Sequence, residues 1–145
     1  MPKRFLMMAV GMIALLAALG WYSAKPNDAS IISLPCDDIK QGCGNDRLTV
    51  RFAETPSVMQ PLHLSLHFKQ PENIQDVHID FAMQTMQMGL NRYRLIPSHQ
   101  RSDWQAEVTL PLCVQGRSDW LMLIEINTGK QIERVQIPFT AQANR

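Results

Sequence analysis

Strict alternation of apolar and polar residues is the sequence feature that most limits how this chain can fold. Apolar side chains occupy every second position from Leu62 to Phe68 and again from Val77 to Phe81. Successive side chains of a strand point to opposite faces of its sheet, so each run predicts a strand with one buried face and one solvated face. The pattern recurs with turn residues about every 8 to 12 positions, which is typical of an antiparallel sandwich.

The recurring pattern predicts an all-β fold of about seven strands, in a length that suits an immunoglobulin-like antiparallel β-sandwich. Asn127-Thr128-Gly129 precedes the last strand and predicts a hairpin loop with Gly129 in the left-handed conformation. A repeated Arg-Ser-Asp-Trp tetrapeptide precedes two other strands, which predicts that Trp104 and Trp120 face the core. The predicted strands are Leu48–Phe52, Leu62–Phe68, Val77–Phe81, Arg92–Ile96, Trp104–Leu110, Trp120–Ile126 and Ile132–Phe139.

Residues 1–24 differ in character from the rest of the chain. Eighteen residues from Phe5 to Tyr22 carry no charge, and as a helix they would span about 27 Å, close to the hydrocarbon thickness of a bilayer. Lys3 and Arg4 precede this run, which favours a cytoplasmic N-terminus followed by one membrane span. The alternative is a cleaved signal peptide, whose apolar region is usually shorter. In both cases we expect the remainder of the chain to be exported.

Three cysteines fit an exported protein. Residues 25–45 are interpreted as a linker, irregular from Ile31 to Asn45, that carries Cys36 and Cys43, whereas Cys113 lies in the predicted sandwich domain of residues 46–145. In an oxidising compartment two of the three should form a disulfide. Proximity in sequence favours Cys36 with Cys43, which would stabilise the fold by about 2.5 kcal/mol, while the longer loop from Cys43 to Cys113 would contribute about 4.4 kcal/mol. The second pairing therefore stays open.

Methionines cluster immediately after the third predicted strand. Met83, Met86 and Met88 lie within six residues, interleaved with glutamine and threonine. Thioethers are soft ligands that favour Cu(I), and they need no deprotonation to bind it. The alternative is packing, because methionine often fills gaps in cores. Met83 continues the inward-facing positions of its strand, whereas Met86 and Met88 have the opposite parity.

Two further residues are weaker candidates for the same metal site. His99 lies in a predicted loop, and Met59 lies in another loop near Pro61. His63 and His67 are four residues apart on a predicted strand, which separates them by about 13 Å, too far to bind one ion together. We therefore expect His63 and His67 to be exposed and solvated.

Charge and motifs exclude several other functions. The net charge of +1 does not provide the basic face that nucleic-acid binding requires. The sequence contains no Gly-x-Ser-x-Gly, phosphate-binding loop, dinucleotide fingerprint or His-Glu-x-x-His motif, so we expect neither an enzyme nor a small-molecule substrate. Arg92 and Arg94 are expected either to be solvated or to attract an acidic partner.

One set of residues carries a family resemblance: Met83-x-x-Met86-x-Met88-Gly89, Tyr93-Arg94-Leu95, Trp104, Gly116 and Trp120. Together they resemble the small exported sandwiches of the YtkA-like and CopC-like groups, over about Val50 to Phe139. The single anchor before such a domain resembles FixH-like proteins, which are linked to assembly of copper–haem terminal oxidases. CopC-like proteins bind Cu(II) with a histidine at the mature N-terminus, and a retained anchor leaves none here.

The resemblance implies a protein of the bacterial inner membrane whose C-terminal domain lies in the periplasm. It implies copper binding through Met83, Met86 and Met88, with a copper chaperone or an oxidase subunit as the partner. The alternative is a metal-free interaction module of the cell envelope, because methionine-rich surfaces adapt readily to protein partners.

Overall fold

The computed structural model describes residues 30–71, 73–83, 91–112 and 118–142. Within these residues the chain is all-β, as predicted, and forms two sheets of five strands each. In the described ranges, no helix is long and apolar enough to cross a membrane. The predicted anchor and the residues Met86, Met88 and Cys113 lie outside the described residues.

Ten strands make up the two sheets of the described chain. They are β1 (Ile31–Ser33), β2 (Cys43–Gly44), β3 (Leu48–Phe52), β4 (Pro61–Phe68), β5 (Asp76–Met83), β6 (Arg92–Arg94), β7 (Ile96–Pro97), β8 (Asp103–Thr109), β9 (Asp119–Asn127) and β10 (Ile132–Thr140). Sheet A has the order β1-β10-β9-β5-β6, and sheet B has the order β2-β3-β4-β8-β7. Paired strands run antiparallel, except that β1 runs parallel to β10.

The core lies between the two sheets and follows the predicted alternation. Every second residue of β4 from Leu62 is buried, and so is every second residue of β9 from Trp120. Trp104 is buried as well, so both tryptophans of the repeated tetrapeptide face the core as predicted. The hairpin between β9 and β10 also agrees with the sequence, because Gly129 has a φ of 78°.

On one side of the sandwich a single extended segment passes from sheet A to sheet B. The strand predicted as Arg92–Ile96 is therefore two strands, with β6 paired to β5 and β7 paired to β8. Leu95 lies between them, buried in the core, and its N–H donates a 2.9 Å hydrogen bond to the carbonyl of Val77. The alternation continued through the crossover, so the sequence alone did not reveal the change of sheet.

On the other side the chain crosses from β1 in sheet A to β2 in sheet B. The Leu34 N–H donates to the Gln136 carbonyl at 2.9 Å, and the Phe52 N–H donates to the Ile39 carbonyl at 3.3 Å. Leu34 and Ile39 are buried and cover the core along this side. The irregular course expected for residues 31–45 is wrong at β1 and β2, because strands of three and two residues are too short to show a period.

Cys36 and Cys43 form a disulfide within this crossover, with their Cα atoms 5.2 Å apart. The favoured pairing is therefore confirmed, and the alternative pairing of Cys43 with Cys113 is wrong. Cys43 opens β2 and is buried, so the bond fixes the crossover segment to the edge of sheet B.

Candidate functional site

The residues that flank segment 84–90, the methionine segment that contains Met86 and Met88, lie at one end of the sandwich. β5 ends at Met83, which lies opposite Trp120 near the start of β9. The segment 84–90 begins after Met83 and ends before Asn91, whose carbonyl accepts a 3.2 Å hydrogen bond from the Phe81 N–H. We call this the methionine end. The opposite end, where β1 and β10 begin, is the proximal end, because residues 1–29 lead into it.

Met83 is a core residue in the described structure. Its side chain is 3% exposed, and it belongs to the same inward-facing set as Phe81, as its parity predicted. Met86 and Met88 lie outside the described residues, so whether the three sulfurs converge stays a prediction. Of these three predicted ligands, Met83 is the one that the structure describes, and it packs in the core.

Met59 is exposed at the methionine end. Its side chain is 58% exposed, and its N–H donates a 2.8 Å hydrogen bond to the carbonyl of Leu110, which follows β8. The preceding residue, Val58, donates to the carbonyl of Gln142, which follows β10. Met59 has a φ of 60°, which is uncommon for a residue other than glycine and is often found at functional sites.

A second apolar side chain is exposed close to the same strand ends. Leu112 follows Leu110 by two residues and is more than half exposed. Segment 113–117, which contains Cys113, begins after Leu112 and ends before Ser118. The Ser118 carbonyl accepts a 3.0 Å hydrogen bond from the Ala141 N–H. The residues that flank segments 84–90 and 113–117 therefore lie at the methionine end.

Two buried hydrogen-bond donors also lie at this end. Trp120 Nε1 and Asn91 Nδ2 have no hydrogen-bond partner among the described residues. Buried donors of this kind normally have an acceptor. Because both atoms are donors, neither is suited to contact a cation directly.

His99 lies at the proximal end, away from Met83. Its neighbour Ser98 donates a 2.7 Å hydrogen bond to the Asp103 carbonyl at the start of β8. Phe68, beside this turn, lines a cleft with residues of β1 and β9 at the proximal end. β8 extends about 20 Å from there towards the methionine end, at about 3.4 Å per residue. The structure therefore places His99 at the opposite end of the sandwich from Met83 and Met59.

His63 and His67 are exposed on the outer face of sheet B, as predicted, but each contacts a carboxylate. His63 Nδ1 lies 2.8 Å from Glu54 Oε1, and His63 Nε2 lies 3.7 Å from Glu107 Oε2. His67 Nδ1 lies 2.7 Å from Asp103 Oδ1. The sequence did not reveal these pairs because the partners come from other strands or loops.

Contacts with His63 and His67 lower the pKa of Glu54 and of Asp103, respectively. Hydrogen bonds from the backbone N–H and then the side chain of His63 hold the pKa of Glu54 below its ordinary value. The hydrogen bond from His67 does the same for the pKa of Asp103. The side chains of Glu54 and Asp103 are 45% and 41% exposed, so solvent screens both pairs and they contribute little to stability.

An open groove of about 690 Å³ crosses this face of sheet B. Its floor includes Ser65, whose Oγ accepts a 3.3 Å hydrogen bond from Arg51 Nε. Charges of both signs line it, so it does not select a ligand of one charge. The polar side chains around it are Lys40, Arg51, His63, Ser65, Gln105 and Glu107.

The arginines after the methionine segment are paired on the outer face of sheet A. Arg92 donates to Asp80 at 2.9 Å and to Glu125 at 2.7 Å, and Arg94 donates to Asp76 at 2.8 Å. The Glu125 hydrogen bond raises the pKa of Arg92, with burial opposing it, and the same bond lowers the pKa of Glu125. Their positive charge is thus balanced within the sheet, which weakens the case for an acidic partner there.

Comparison with known proteins adds no relative. No protein-family model matches the chain, and no curated protein matches it. Within the described residues, no group of three histidine, cysteine, aspartate or glutamate side chains is arranged to hold a metal ion. The resemblance to YtkA-like, CopC-like and FixH-like proteins therefore stays an expectation based on the residues quoted above.

Proposed function

We propose that this chain is a membrane-tethered, periplasm-facing protein that holds or delivers Cu(I) at the methionine end of its sandwich. The observation that carries the proposal is the position of Met59. Its exposed thioether lies at the end where the segment containing Met86 and Met88 begins and ends. Met59 and the residues that flank segment 84–90 are distant in sequence but lie at the same end of the domain.

The chemistry of the compartment supports the proposal. A disulfide between Cys36 and Cys43 fits an oxidising, exported environment. Free thiols tend to oxidise there, whereas thioethers remain available as neutral, soft ligands for Cu(I). The predicted single span at residues 1–24 would hold the domain at the membrane, and an immunoglobulin-like sandwich would provide the rigid support.

The ligand set that we propose is Met59, Met86 and Met88. Met83 belongs to the core, so its first role is to fix the start of the methionine segment to β5. Its sulfur joins the site only if the ion lies at the boundary of the core. A copper chaperone or an oxidase subunit remains the partner that we propose for delivery.

A metal-free interaction module is the second candidate. Met59 and Leu112 are both exposed at the methionine end, and adaptable apolar side chains of this kind suit a protein contact. The two functions differ in what they require of sulfur. A protein contact tolerates leucine in place of methionine, whereas Cu(I) binding does not.

Metal titration of the full chain in detergent micelles tests the proposal. Under anaerobic, reducing conditions we expect one Cu(I) per chain in competition with a chromophoric Cu(I) chelator. We expect the same chain to bind Zn²⁺ far more weakly, because thioethers favour the softer ion. A chain that retains no Cu(I) against the chelator would leave the interaction module as the better account.

A further inference from the structure

Exposed isoleucines cluster at the proximal end of the sandwich. Ile31, Ile32 and Ile132 are 54%, 46% and 42% exposed, respectively. Ile31 lies opposite Arg134 in the parallel pairing of β1 and β10, so it is a diagonal neighbour of Ile132 on the outer face of sheet A. Ile32 points to the other face and lines the mouth of the cleft between the sheets. Exposed apolar clusters of this kind commonly mark a contact surface.

The position of the cluster in the chain indicates what covers it. β1 begins nine residues after Tyr22, the last residue of the uncharged run within the predicted anchor of residues 1–24. Nine extended residues reach at most about 30 Å. With the predicted span in a bilayer, the proximal end would be held within that distance of the bilayer surface, whereas the methionine end could extend further.

We propose that the proximal end docks on the bilayer into which the chain's own N-terminal segment inserts, with Ile31, Ile32 and Ile132 in the interfacial region. The inference rests on the membrane anchor of the proposed function and is independent of copper. Lys130, next to the cluster in the β9–β10 hairpin, is placed to meet lipid phosphates.

Charge is a minor part of this contact. At the proximal end Arg47 pairs with Glu133 at 2.8 Å, and Lys69 lies 3.7 Å from Asp46. Because these cations are balanced by neighbouring carboxylates, apolar contact drives the docking. The docking should consequently persist on zwitterionic lipid and at raised salt.

The docked orientation directs the methionine end away from the membrane. Ile31 lies at the level of Arg134 and Glu125, five residues along β9 from Trp120. Five strand residues extend about 17 Å. A partner that exchanges metal with the methionine end would then approach from the aqueous side, rather than from within the bilayer.

Paramagnetic relaxation in lipid nanodiscs tests the proposal. The full chain, with labelled isoleucine and methionine methyl groups, is placed in phosphatidylcholine nanodiscs that contain a lipid with a gadolinium-chelating headgroup. We expect strong broadening of the Ile31, Ile32 and Ile132 signals and little broadening of the Met59 signal. Met59 is the matched control because it is similarly exposed but lies at the other end. Equal broadening of all four would mean that the domain tumbles freely on its tether, and would overturn the proposal.

A variant and a size measurement separate the remaining outcomes. The double variant Ile31→Thr, Ile132→Thr keeps β-branched side chains on exposed strand positions, so the fold should persist. The difference in broadening between the remaining Ile32 signal and the Met59 signal should disappear. An unchanged difference would overturn the role of the isoleucines. If each nanodisc held two chains and the isoleucine signals were protected from gadolinium, a second copy of the chain would cover the isoleucines in place of lipid. That result would overturn the proposal. A chain that does not join the nanodisc would overturn docking and anchor together, whereas Cu(I) binding in micelles would be unaffected.

Discussion

Met59 and Leu110 are joined by a 2.8 Å hydrogen bond from the Met59 N–H to the Leu110 carbonyl. This bond fixes the turn before β4 to the chain that leaves β8, at the end of the sandwich where the methionine segment begins. The turn holds Met59 at a φ of 60°, and the side chain is exposed although its backbone is paired. A strained, well-anchored backbone with an exposed thioether is the feature that links the fold to the proposed metal site.

The strain at Met59 gives the first prediction. Met59→Gly should leave the Tm unchanged or raise it, because glycine adopts positive φ without penalty. Met59→Val should lower the free energy of unfolding by about 1–2 kcal/mol, because a β-branched side chain is poorly tolerated in the left-handed region. Thermal unfolding of the purified chain, followed by near-ultraviolet circular dichroism, measures both. Equal stability of the two variants would contradict the strained turn.

Leu95 and Ile96 provide a matched pair for the crossover between the sheets. Leu95 is buried and Ile96, its neighbour in sequence, is well exposed. Leu95→Ala should lower the free energy of unfolding by about 2–5 kcal/mol, because it leaves a cavity in the core. Ile96→Ala should change it by less than about 0.5 kcal/mol. Urea unfolding of the two variants provides the comparison, and similar losses would show that Leu95 does not seal this side of the core.

From the disulfide between Cys36 and Cys43 we predict the number of free thiols and the loss of stability when the bond is removed. Purified chain should contain one alkylatable thiol before reduction and three after it, as mass spectrometry would show. Replacing Cys36 and Cys43 together by serine should lower the free energy of unfolding by about 2.5 kcal/mol. Three thiols before reduction, or a double variant as stable as the wild type, would contradict the role of the bond.

Glu125 should make stability depend on pH in the acidic range. The hydrogen bond from Arg92 lowers its pKa from the ordinary value of 4.5, burial opposes this shift, and Arg134 reinforces it. A carboxyl group with a lower pKa in the folded state stabilises the fold above its unfolded pKa, and this stabilisation is lost as the pH falls through the folded pKa. The Tm of the wild type should therefore fall more than that of Glu125→Gln between about pH 6 and about pH 3.

Asp46→Asn is the control for that comparison because its carboxylate is fully exposed. Its Tm should follow the wild type over the same pH range. If the Tm of Glu125→Gln follows that of the wild type as closely as the Tm of Asp46→Asn does, the Glu125 ion pairs contribute nothing measurable to the loss of stability at acidic pH.

Most of the fold was predictable from local pattern. Alternation along β4 and β9 identifies buried strands because the side-chain period of a strand is two residues. The pairing of Cys36 with Cys43 was favoured by proximity alone. β1 and β2 were missed because they are short, and they are held by pairing with β10 and β3, which are distant in sequence. Local periodicity carries no information about such partners.

The candidate site was predictable only in part, for the same physical reason. Parity correctly assigned Met83 to the core side of β5. The loop position of Met59 was visible in the sequence, but its place at the methionine end depends on hydrogen bonds with residues some 50 positions away in the chain, such as Leu110. His99 was a candidate because loops are adaptable, and the register of β8 now separates it from that end.

Anaerobic Cu(I) competition with methionine-to-leucine variants tests the central claim most directly. Leucine keeps nearly the same volume and usually costs under about 1.5 kcal/mol, so the fold should survive each replacement. We predict that Met59→Leu, Met86→Leu and Met88→Leu each weaken Cu(I) binding at least about tenfold, a loss of about 1.4 kcal/mol. Met122→Leu, a change of a buried core methionine, should leave the affinity unchanged. A folded Met59, Met86 and Met88 triple leucine variant that retains wild-type Cu(I) affinity would contradict the account.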